Sequence, residues 1–323
     1  MKKNLTVIIV LCTICCVCLG VYQYRIKVEK DITTKKSSTE PRIFGATYMT
    51  RNNPFFEVLH EGIKEVVEAN GDILITRDPQ QNQERQNQQI RDMIQEGIEV
   101  LFLNPVDWED VGPGLEACKD ANVSVINVDT AVKNTQDVIS IIETDNYQAG
   151  VECAKDMMKR VSSAQIVIID NPIQQSIMNR IQGFTDTIEG NDKYEIVYQD
   201  KGDGEIEIAA EVMGKFLKTG AKFNVVLGGN DPTALGILSA LQQHKEDNGV
   251  LIYGIDGSPD FKAMIELGYV TGTSTQSPTA IGQLAAQTAY KYLNEEIVDK
   301  HIKLPSNIIT KENLHEYEIN GWQ

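Results

Sequence analysis

The sequence has 323 residues, of which 41% are apolar and 24% are charged, so it is long enough for two domains that each bury a core of their own. The formal net charge is −16, which argues against a nucleic-acid-binding protein, because such proteins normally present a basic face. A surplus of carboxylates is compatible with a neutral or cationic small ligand.

Residues 1–24 are predicted to be a targeting segment. Lysines precede an apolar run from Leu5 to Tyr22, and further basic residues follow it. The run of about 18–20 residues is long enough to cross a bilayer and longer than a usual signal-peptide core. A signal anchor is therefore favoured over a cleaved signal peptide, and both place the body of the protein outside the cytoplasm. Residues 25–41 are predicted to be a flexible stalk.

Cysteine usage does not indicate a disulfide framework. Four of the six cysteines lie inside the apolar run, where we interpret them as small apolar filler rather than as a metal or redox site. The other two, Cys118 and Cys153, fall on predicted helices.

Beyond the stalk, short apolar strands alternate with amphipathic helices. Ten strands are predicted, at Ile43–Tyr48, Asp72–Thr76, Val100–Leu103, Val123–Val128, Val138–Ile142, Gln165–Ile169, Tyr194–Tyr198, Phe223–Leu227, Val250–Ile255 and Thr271–Thr275. Nine helices are predicted, at Phe56–Asn70, Asn82–Gln95, Val111–Ala121, Tyr147–Val161, Ile177–Glu189, Glu207–Thr219, Pro232–Gln243, Asp260–Leu267 and Pro278–Leu293. Such alternation is typical of parallel sheets covered by helices. The predicted fold class is α/β, with two doubly wound parallel-sheet lobes.

The corner between the first strand and the first helix reads Asn52-Asn53-Pro54-Phe55-Phe56. Asn53 can cap the helix, and Pro54 suits its first turn. Two phenyl rings at the mouth of an α/β crevice can stack on the apolar face of a small ligand. The alternative is that Asn53 only caps the helix and both rings belong to the core.

Ligands of open α/β sheets bind beyond the carboxyl ends of the strands, so the polar residues there are candidates for a site. The residues that follow predicted strands are Asn52, Asn53, Asp78, Asn104, Asp129, Asp170, Asn171, Asn230, Asp231, Asp256 and Gln276, and Arg180 lies early in a following helix. Carboxylates accept hydrogen bonds, a guanidinium donates them and amides do both, which suits a neutral polyhydroxylated ligand. Local alternatives stay open, such as a helix cap for Asn230 and a turn at Asp256-Gly257. Asp78 and Asn104 are interpreted as local structure.

An enzyme is not predicted. None of the four histidines follows a predicted strand, and no nucleophile elbow, phosphate loop or His-Glu-x-x-His motif is present. No cofactor is predicted. No metal site is predicted either, because Asp200–Glu205 lacks the ligand spacing of a calcium loop.

In order and spacing, the chain resembles the periplasmic sugar-binding proteins of the ribose-binding type, which share their core with lactose-repressor family regulators. The matching pieces are Asn52–Phe56, Val128–Asp129, Arg180–Phe184, Gly229–Asp231, Gly254–Gly257 and Gln276–Pro278. The resemblance covers most of residues 42–310. It implies a type I periplasmic-binding-protein fold, with a three-crossing hinge near Thr144–Asn146, Gln276–Thr279 and Pro305–Asn307. The implied lobes are residues 42–144 plus 277–305 and residues 145–276 plus 306–323.

The resemblance also implies ligand-binding roles. The residues concerned are Asn53, Phe55, Phe56, Asp129, Arg180, Asn230, Asp256 and Gln276. Four positions depart from the ribose pattern: Thr130 replaces an arginine, Ile255 a phenylalanine, Gly204 or a near neighbour another aromatic residue, and Met49 a small hydroxyl residue. A different pentose, a hexose or a polyol is therefore open.

The predicted function is an extracytoplasmic solute-binding protein that captures a monosaccharide or similar polyol between two lobes and presents it to an ABC-type sugar importer. The alternative is a membrane-tethered sugar sensor that reports to a receptor or histidine kinase. The predicted partners are the sugar or polyol, an ABC permease or membrane sensor, and the membrane through the N-terminal segment. Nucleic acid is not a predicted partner, and the protein is predicted to be a monomer.

Overall fold

The structure is a computed structural model that describes residues 40–323. Residues 42–323 form one compact unit. The predicted anchor at 1–24 and nearly all of the predicted stalk at 25–41 lie outside the described residues. Within residues 40–323, no helix combines the length and the apolar character needed to span a bilayer.

Residues 40–323 contain twelve strands. In chain order they are β1 (Ile43–Thr47), β2 (Ile73–Arg77), β3 (Val100–Leu103), β4 (Ser124–Val128), β5 (Ser140–Thr144), β6 (Ala164–Asp170), β7 (Tyr194–Lys201), β8 (Val225–Gly228), β9 (Leu251–Asp256), β10 (Gly272–Thr275), β11 (His301–Leu304) and β12 (Ile308–Thr310). The first ten confirm the predicted strands. The sequence did not predict β11 and β12, because both are short edge strands with little apolar pattern.

Nine α-helices connect these strands. They are α1 (Pro54–Ala69), α2 (Gln83–Gln95), α3 (Gly112–Asp120), α4 (Asn146–Arg160), α5 (Gln175–Ile188), α6 (Ile206–Leu217), α7 (Asp231–His244), α8 (Pro259–Leu267) and α9 (Pro278–Leu293). Side chains that accept from the first turn explain several helix starts, since Asn53, Asn82, Asn230 and Ser258 all cap a helix. Two short 3₁₀ helices lie at Thr135–Asp137 and Leu314–Glu316.

The strands form two six-stranded sheets, with orders β11-β5-β4-β3-β1-β2 and β12-β10-β9-β8-β6-β7. Every pairing is parallel except that of β10 with β12. Each sheet carries one buried apolar cluster on each face. The predicted α/β class with two parallel-sheet lobes is confirmed. We call the lobe built on the sheet of β1 the first lobe and the other the second lobe.

The chain passes between the lobes three times, after β5, after β10 and after β11. The three crossings lie side by side and bond to one another. Asp145 N donates to Leu304 O at 2.8 Å, and Thr275 N donates to Asn307 O at 2.9 Å. The Ser306 hydroxyl donates to Thr275 O at 2.9 Å. The hinge is therefore a hydrogen-bonded bundle of three short segments.

Helices α4 and α5 approach each other closely through two glycines. A Cβ added at Gly150 would lie 1.8 Å from Arg180 O, and one added at Gly183 would lie 2.0 Å from Tyr147 O. Only glycine permits this contact between backbones. It fixes α5 against α4, which begins directly after the first crossing.

We expect Gly183→Ala to lower the free energy of unfolding by about 1–3 kcal/mol, because the added methyl group forces the two helix backbones apart. Urea denaturation of the variant and the wild type measures the difference.

Gly214→Ala is a matched control, since Gly214 is also inside a helix but the nearest atom to an added Cβ there is His244 Nε2 at 3.9 Å. This variant should be as stable as the wild type or more stable by roughly 0.5–1 kcal/mol, because alanine favours a helix over glycine. Equal stability of Gly183→Ala and the wild type would contradict the close approach of α4 and α5.

Candidate functional site

A cavity of about 370 Å³ lies between the two lobes, at the carboxyl ends of the strands. It is lined by all eight residues that the sequence analysis selected: Asn53, Phe55, Phe56, Asp129, Arg180, Asn230, Asp256 and Gln276. The first four belong to the first lobe. Arg180, Asn230 and Asp256 belong to the second lobe, and Gln276 stands at a crossing. A volume of this size is typical of small-molecule sites.

The corner at α1 supplies an apolar wall and an amide. Asn53 Oδ1 accepts from Phe55 N at 3.0 Å, while its Nδ2 makes no hydrogen bond within residues 40–323. The Phe55 and Phe56 rings meet edge to face with centroids 5.3 Å apart, and Tyr48 stacks on Phe56 at 6.0 Å. Both phenylalanines are buried in the core cluster of the first lobe and line the cavity as well. The two alternatives for these rings are therefore not exclusive.

Asp129 follows β4 and is held by two neighbours. Its Oδ2 accepts from Asn104 Nδ2 at 2.9 Å and from the Thr130 hydroxyl at 3.1 Å, which leaves Oδ1 for a ligand. Its φ of +64° is unusual for a residue other than glycine. Burial raises the pKa of Asp129 to about 7, while the charge of Arg180 acts in the opposite direction.

The interpretation of Asn104 as merely local structure needs correction. Asn104 is fully buried, and its Oδ1 accepts from Met49 N at 3.0 Å while its Nδ2 donates to Asp129. It therefore links the end of β1 to the candidate ligand-binding carboxylate.

Arg180 lies on α5 and is only 2% exposed. Nη1 donates to Gly229 O at 2.9 Å and lies 3.6 Å from Asp256 Oδ1. Nη2 makes no hydrogen bond to any of residues 40–323, so it remains able to donate to a ligand. Burial raises the pKa of Asp256, and Arg180 opposes that shift.

Arg180 and Asp256 also belong to a closed ring of contacts through the hinge. The Thr144 hydroxyl donates to Gln276 Oε1 at 2.8 Å, and Gln276 Nε2 donates to Asp256 Oδ1 at 2.7 Å. Asp256 pairs with Arg180, whose Nε donates to Asn146 Oδ1 at 2.8 Å. Asn146 Nδ2 closes the ring by donating to Thr144 O at 3.1 Å. Two candidate ligand-binding residues are thus bonded directly to crossings, Arg180 to the first crossing and Asp256 to the second.

Asn230 combines a local role with its place in the cavity. Its Oδ1 accepts from Thr233 N at 2.9 Å and so caps α7, as the local alternative predicted. Its Nδ2 donates to Gly204 O at 3.2 Å. Asp231, the next residue, lies behind the cavity, where burial raises its pKa and the nearby charge of Asp256 acts in the same direction. It accepts from Ser258 N and from the Thr273 hydroxyl, both at 2.7 Å.

The contacts that join the lobes across the cavity were not predicted from the sequence. Thr130 Oγ1 lies 2.7 Å from Ser176 Oγ, and Gln174 Nε2 donates to Val106 O at 3.2 Å. The Gln81 amide donates to the Glu205 carboxylate. Gln174 and Ser176 stand several residues beyond their strand, so a search for polar residues immediately after strands passes over them. These contacts hold the lobes in a closed arrangement.

Residues 40–323 contain no group of three or more histidine, cysteine, aspartate or glutamate side chains arranged to hold a metal ion. The groups that line the cavity and can contact a ligand are carboxylates, amides, one guanidinium and aromatic rings.

Residues 44–297 match the family described as periplasmic binding protein domain. The chain is 27% identical to the ribose import binding protein RbsB of Bacillus subtilis over 269 residues, which cover 83% of this chain and 87% of the relative. An ABC transporter solute-binding protein from Mycobacterium smegmatis, solved with bound glycerol, superposes with a TM-score of 0.81 at 27% identity and covers 86% of this chain and 96% of its own. One from Bacillus halodurans, solved with bound myo-inositol, gives a TM-score of 0.82 at 22% identity, with coverages of 88% and 100%. The RbsB relative and both solved structures are binding proteins, not enzymes.

We expect Asp129→Asn to stabilise the ligand-free protein at neutral and alkaline pH. In the wild type, ionising Asp129 costs stability as the pH rises from about 4, the pKa of an unfolded aspartate, to about 7, its pKa in the fold. The difference grows by roughly 1.4 kcal/mol per pH unit over that window, and asparagine tolerates the positive φ.

Thermal unfolding of both proteins between about pH 4 and pH 8 tests this expectation. The midpoint of the variant should exceed that of the wild type at pH 8, and the margin should vanish toward pH 4. A margin that does not depend on pH would contradict the raised pKa.

Proposed function

This chain belongs to the periplasmic binding protein family, and we propose that it is the extracytoplasmic solute-binding component of an ABC-type sugar importer. In this proposal it captures one monosaccharide or similar polyol between its two lobes. The lobes are residues 42–144 plus 277–305 and residues 145–276 plus 306–323, and the protein acts as a monomer.

The observation that carries the proposal is a pair of buried, complementary groups from opposite lobes of one cavity. Asp129 retains an oxygen that can accept, and Arg180 retains a nitrogen that can donate. A sugar hydroxyl donates and accepts at once, so a ring that carries several hydroxyls can bond to both lobes together. Charge-assisted bonds of this kind are stronger than neutral ones.

The phenylalanine wall supports a ring-shaped ligand. The wall formed by Phe55 and Phe56 offers an apolar surface on one side of the cavity. The C–H face of a sugar or cyclitol packs on such a surface while its hydroxyls reach the polar groups, a combination typical of small-molecule sites.

Ligand capture requires the lobes to separate and close again. The contacts of Thr130 with Ser176 and of Gln174 with Val106 would break on opening, while the hinge crossings bend. A permease can distinguish the two states by the surfaces that they expose. A bound ligand would favour closure because it adds contacts to both lobes.

The alternative function as a membrane-tethered sensor depends on residues 1–24, which lie outside the described residues. The RbsB relative bears the name of an import protein. Import is therefore the function that we propose.

A ligand screen tests the proposal. D-Ribose, D-allose, L-arabinose, D-galactose and myo-inositol are added singly to the protein, and the unfolding midpoint is recorded. A ligand at about 100 times its Kd adds about 2.7 kcal/mol of stability, which shifts the midpoint by roughly 5 °C in a protein of this size. Raffinose, a trisaccharide that is too large for a cavity of about 370 Å³, is the control. Absence of any shift with all five compounds would refute the capture of a monosaccharide or similar polyol.

Substitutions at Asn53 separate capping from ligand binding. Asn53→Asp keeps the oxygen that caps α1 but loses the amide donor, so we expect unchanged stability and about tenfold weaker binding of the best ligand. Asn53→Ala loses both groups, and its stability should fall by about 1 kcal/mol as well. Isothermal titration and urea denaturation give the two quantities, and undiminished affinity in both variants would exclude Asn53 from the site.

A further inference from the structure

We propose that Asn171 is a ligand-binding residue, and that Asn171 and Gly204 form a polar subsite of the second lobe that receives a hydroxyl group of the ligand. The inference rests on the proposed function, because it assumes that the cavity takes a polyhydroxylated ring. Asn171 would then determine specificity, because it selects a ring that carries a hydroxyl group on the side facing the second lobe.

Asn171 is buried without hydrogen-bond partners for its side chain. It follows β6 directly, lines the cavity and is 1% exposed. Neither its Oδ1 nor its Nδ2 has a partner within residues 40–323, although its backbone oxygen accepts from Gln174 N at 3.1 Å. Burying an amide without partners is unfavourable, so such groups need an explanation.

The other buried side-chain atoms without partners in the described part of the chain are Gln89 Oε1, Glu152 Oε2 and Thr233 Oγ1. None of these three residues lines the cavity. Among the residues of the described part of the chain that carry such atoms, Asn171 is thus distinguished by its position in the cavity lining.

Gly204 keeps the space beside Asn171 open. A Cβ added at Gly204 would lie 3.3 Å from Asn230 Nδ2 and 3.8 Å from Asn171 Nδ2. The φ of +76° also favours glycine, and the Asn230 amide bonds to the Gly204 carbonyl at 3.2 Å. The space beside Gly204 therefore borders two amide side chains.

The chemistry of the subsite defines the ligand class. An asparagine side chain donates and accepts, and a hydroxyl group satisfies both capacities, whereas a C–H face satisfies neither. The ligand is therefore a furanose, pyranose or cyclitol with one apolar face toward Phe55 and Phe56. Its opposite face carries a hydroxyl or hydroxymethyl group toward Asn171.

Asn171→Ala in the full-length chain tests this inference, with Asn179→Ala as the matched control. Asn179 lies on α5 of the same lobe, bonds to Gln175 and does not line the cavity. The probes are D-ribose, D-allose, L-arabinose, D-galactose and myo-inositol, followed by monodeoxy analogues of the one that binds the wild type most tightly. Isothermal titration gives affinities, and thermal unfolding without ligand gives stability.

We expect Asn171→Ala to weaken binding of the best probe at least tenfold, while the midpoint without ligand is unchanged or raised because a buried amide without partners has been removed. One monodeoxy analogue should bind the wild type more weakly than the complete ligand does. The variant Asn171→Ala should bind that analogue and the complete ligand with equal affinity. Asn179→Ala should match the wild type in both measurements.

Three outcomes overturn the inference. Unchanged affinity in Asn171→Ala would show that Asn171 does not contact the ligand. The same conclusion would follow if the variant lost affinity with a lowered unfolding midpoint and depended on every ligand hydroxyl as the wild type does. Both outcomes leave the proposed sugar capture intact. Failure of all five probes to bind the wild type would refute the proposed function and this inference with it.

Discussion

The buried guanidinium of Arg180 is the interaction on which the rest of the site depends. Burial raises the pKa of Asp129 in the first lobe and of Asp256 in the second, because it disfavours their anionic forms. The positive charge of Arg180 lowers both pKa values and so stabilises the two anions. Its position is fixed by Asn146 at the first crossing and by the Gly229 carbonyl. Through Gln276 and Thr144 the same network reaches the second crossing and returns to the first. Ligand site and hinge are therefore one hydrogen-bonded unit, and a change at either is transmitted to the other.

Most of the fold could be predicted from the sequence because each element carries a local signal. Buried parallel strands are continuous apolar runs, and caps such as Asn53 and Asn230 mark helix starts. The strands β11 and β12 carry no such signal. The strand β11 pairs with β5, and β12 pairs with β10. Because these partners are distant in the sequence, the two strands are evident only in the assembled sheets.

The candidate site was predictable to the extent that topology alone determines it. Asp129, Asp256 and Gln276 follow strands directly, and parallel strands bring their carboxyl ends to one edge. What the sequence could not indicate is which side chains find partners. Asn171 and Asn230 look alike as residues after strands, yet Asn230 caps a helix, whereas the side chain of Asn171 has no hydrogen-bond partner within residues 40–323. The lobe-to-lobe contact of Thr130 with Ser176 depends equally on the tertiary arrangement.

The late position of α9 and β11 in the chain affects how the protein can fold during synthesis. Five of the six strands of the first sheet are complete at Thr144. The remaining parts of the first lobe are α9, which packs on α1, and the edge strand β11. Both are synthesised only after every strand of the second sheet except β12. Since β12 itself ends at Thr310, neither lobe can complete its core until nearly all of the chain has left the ribosome. This order of synthesis delays native folding, which is favourable for a member of a family that works outside the cytoplasm and must first be carried across a membrane.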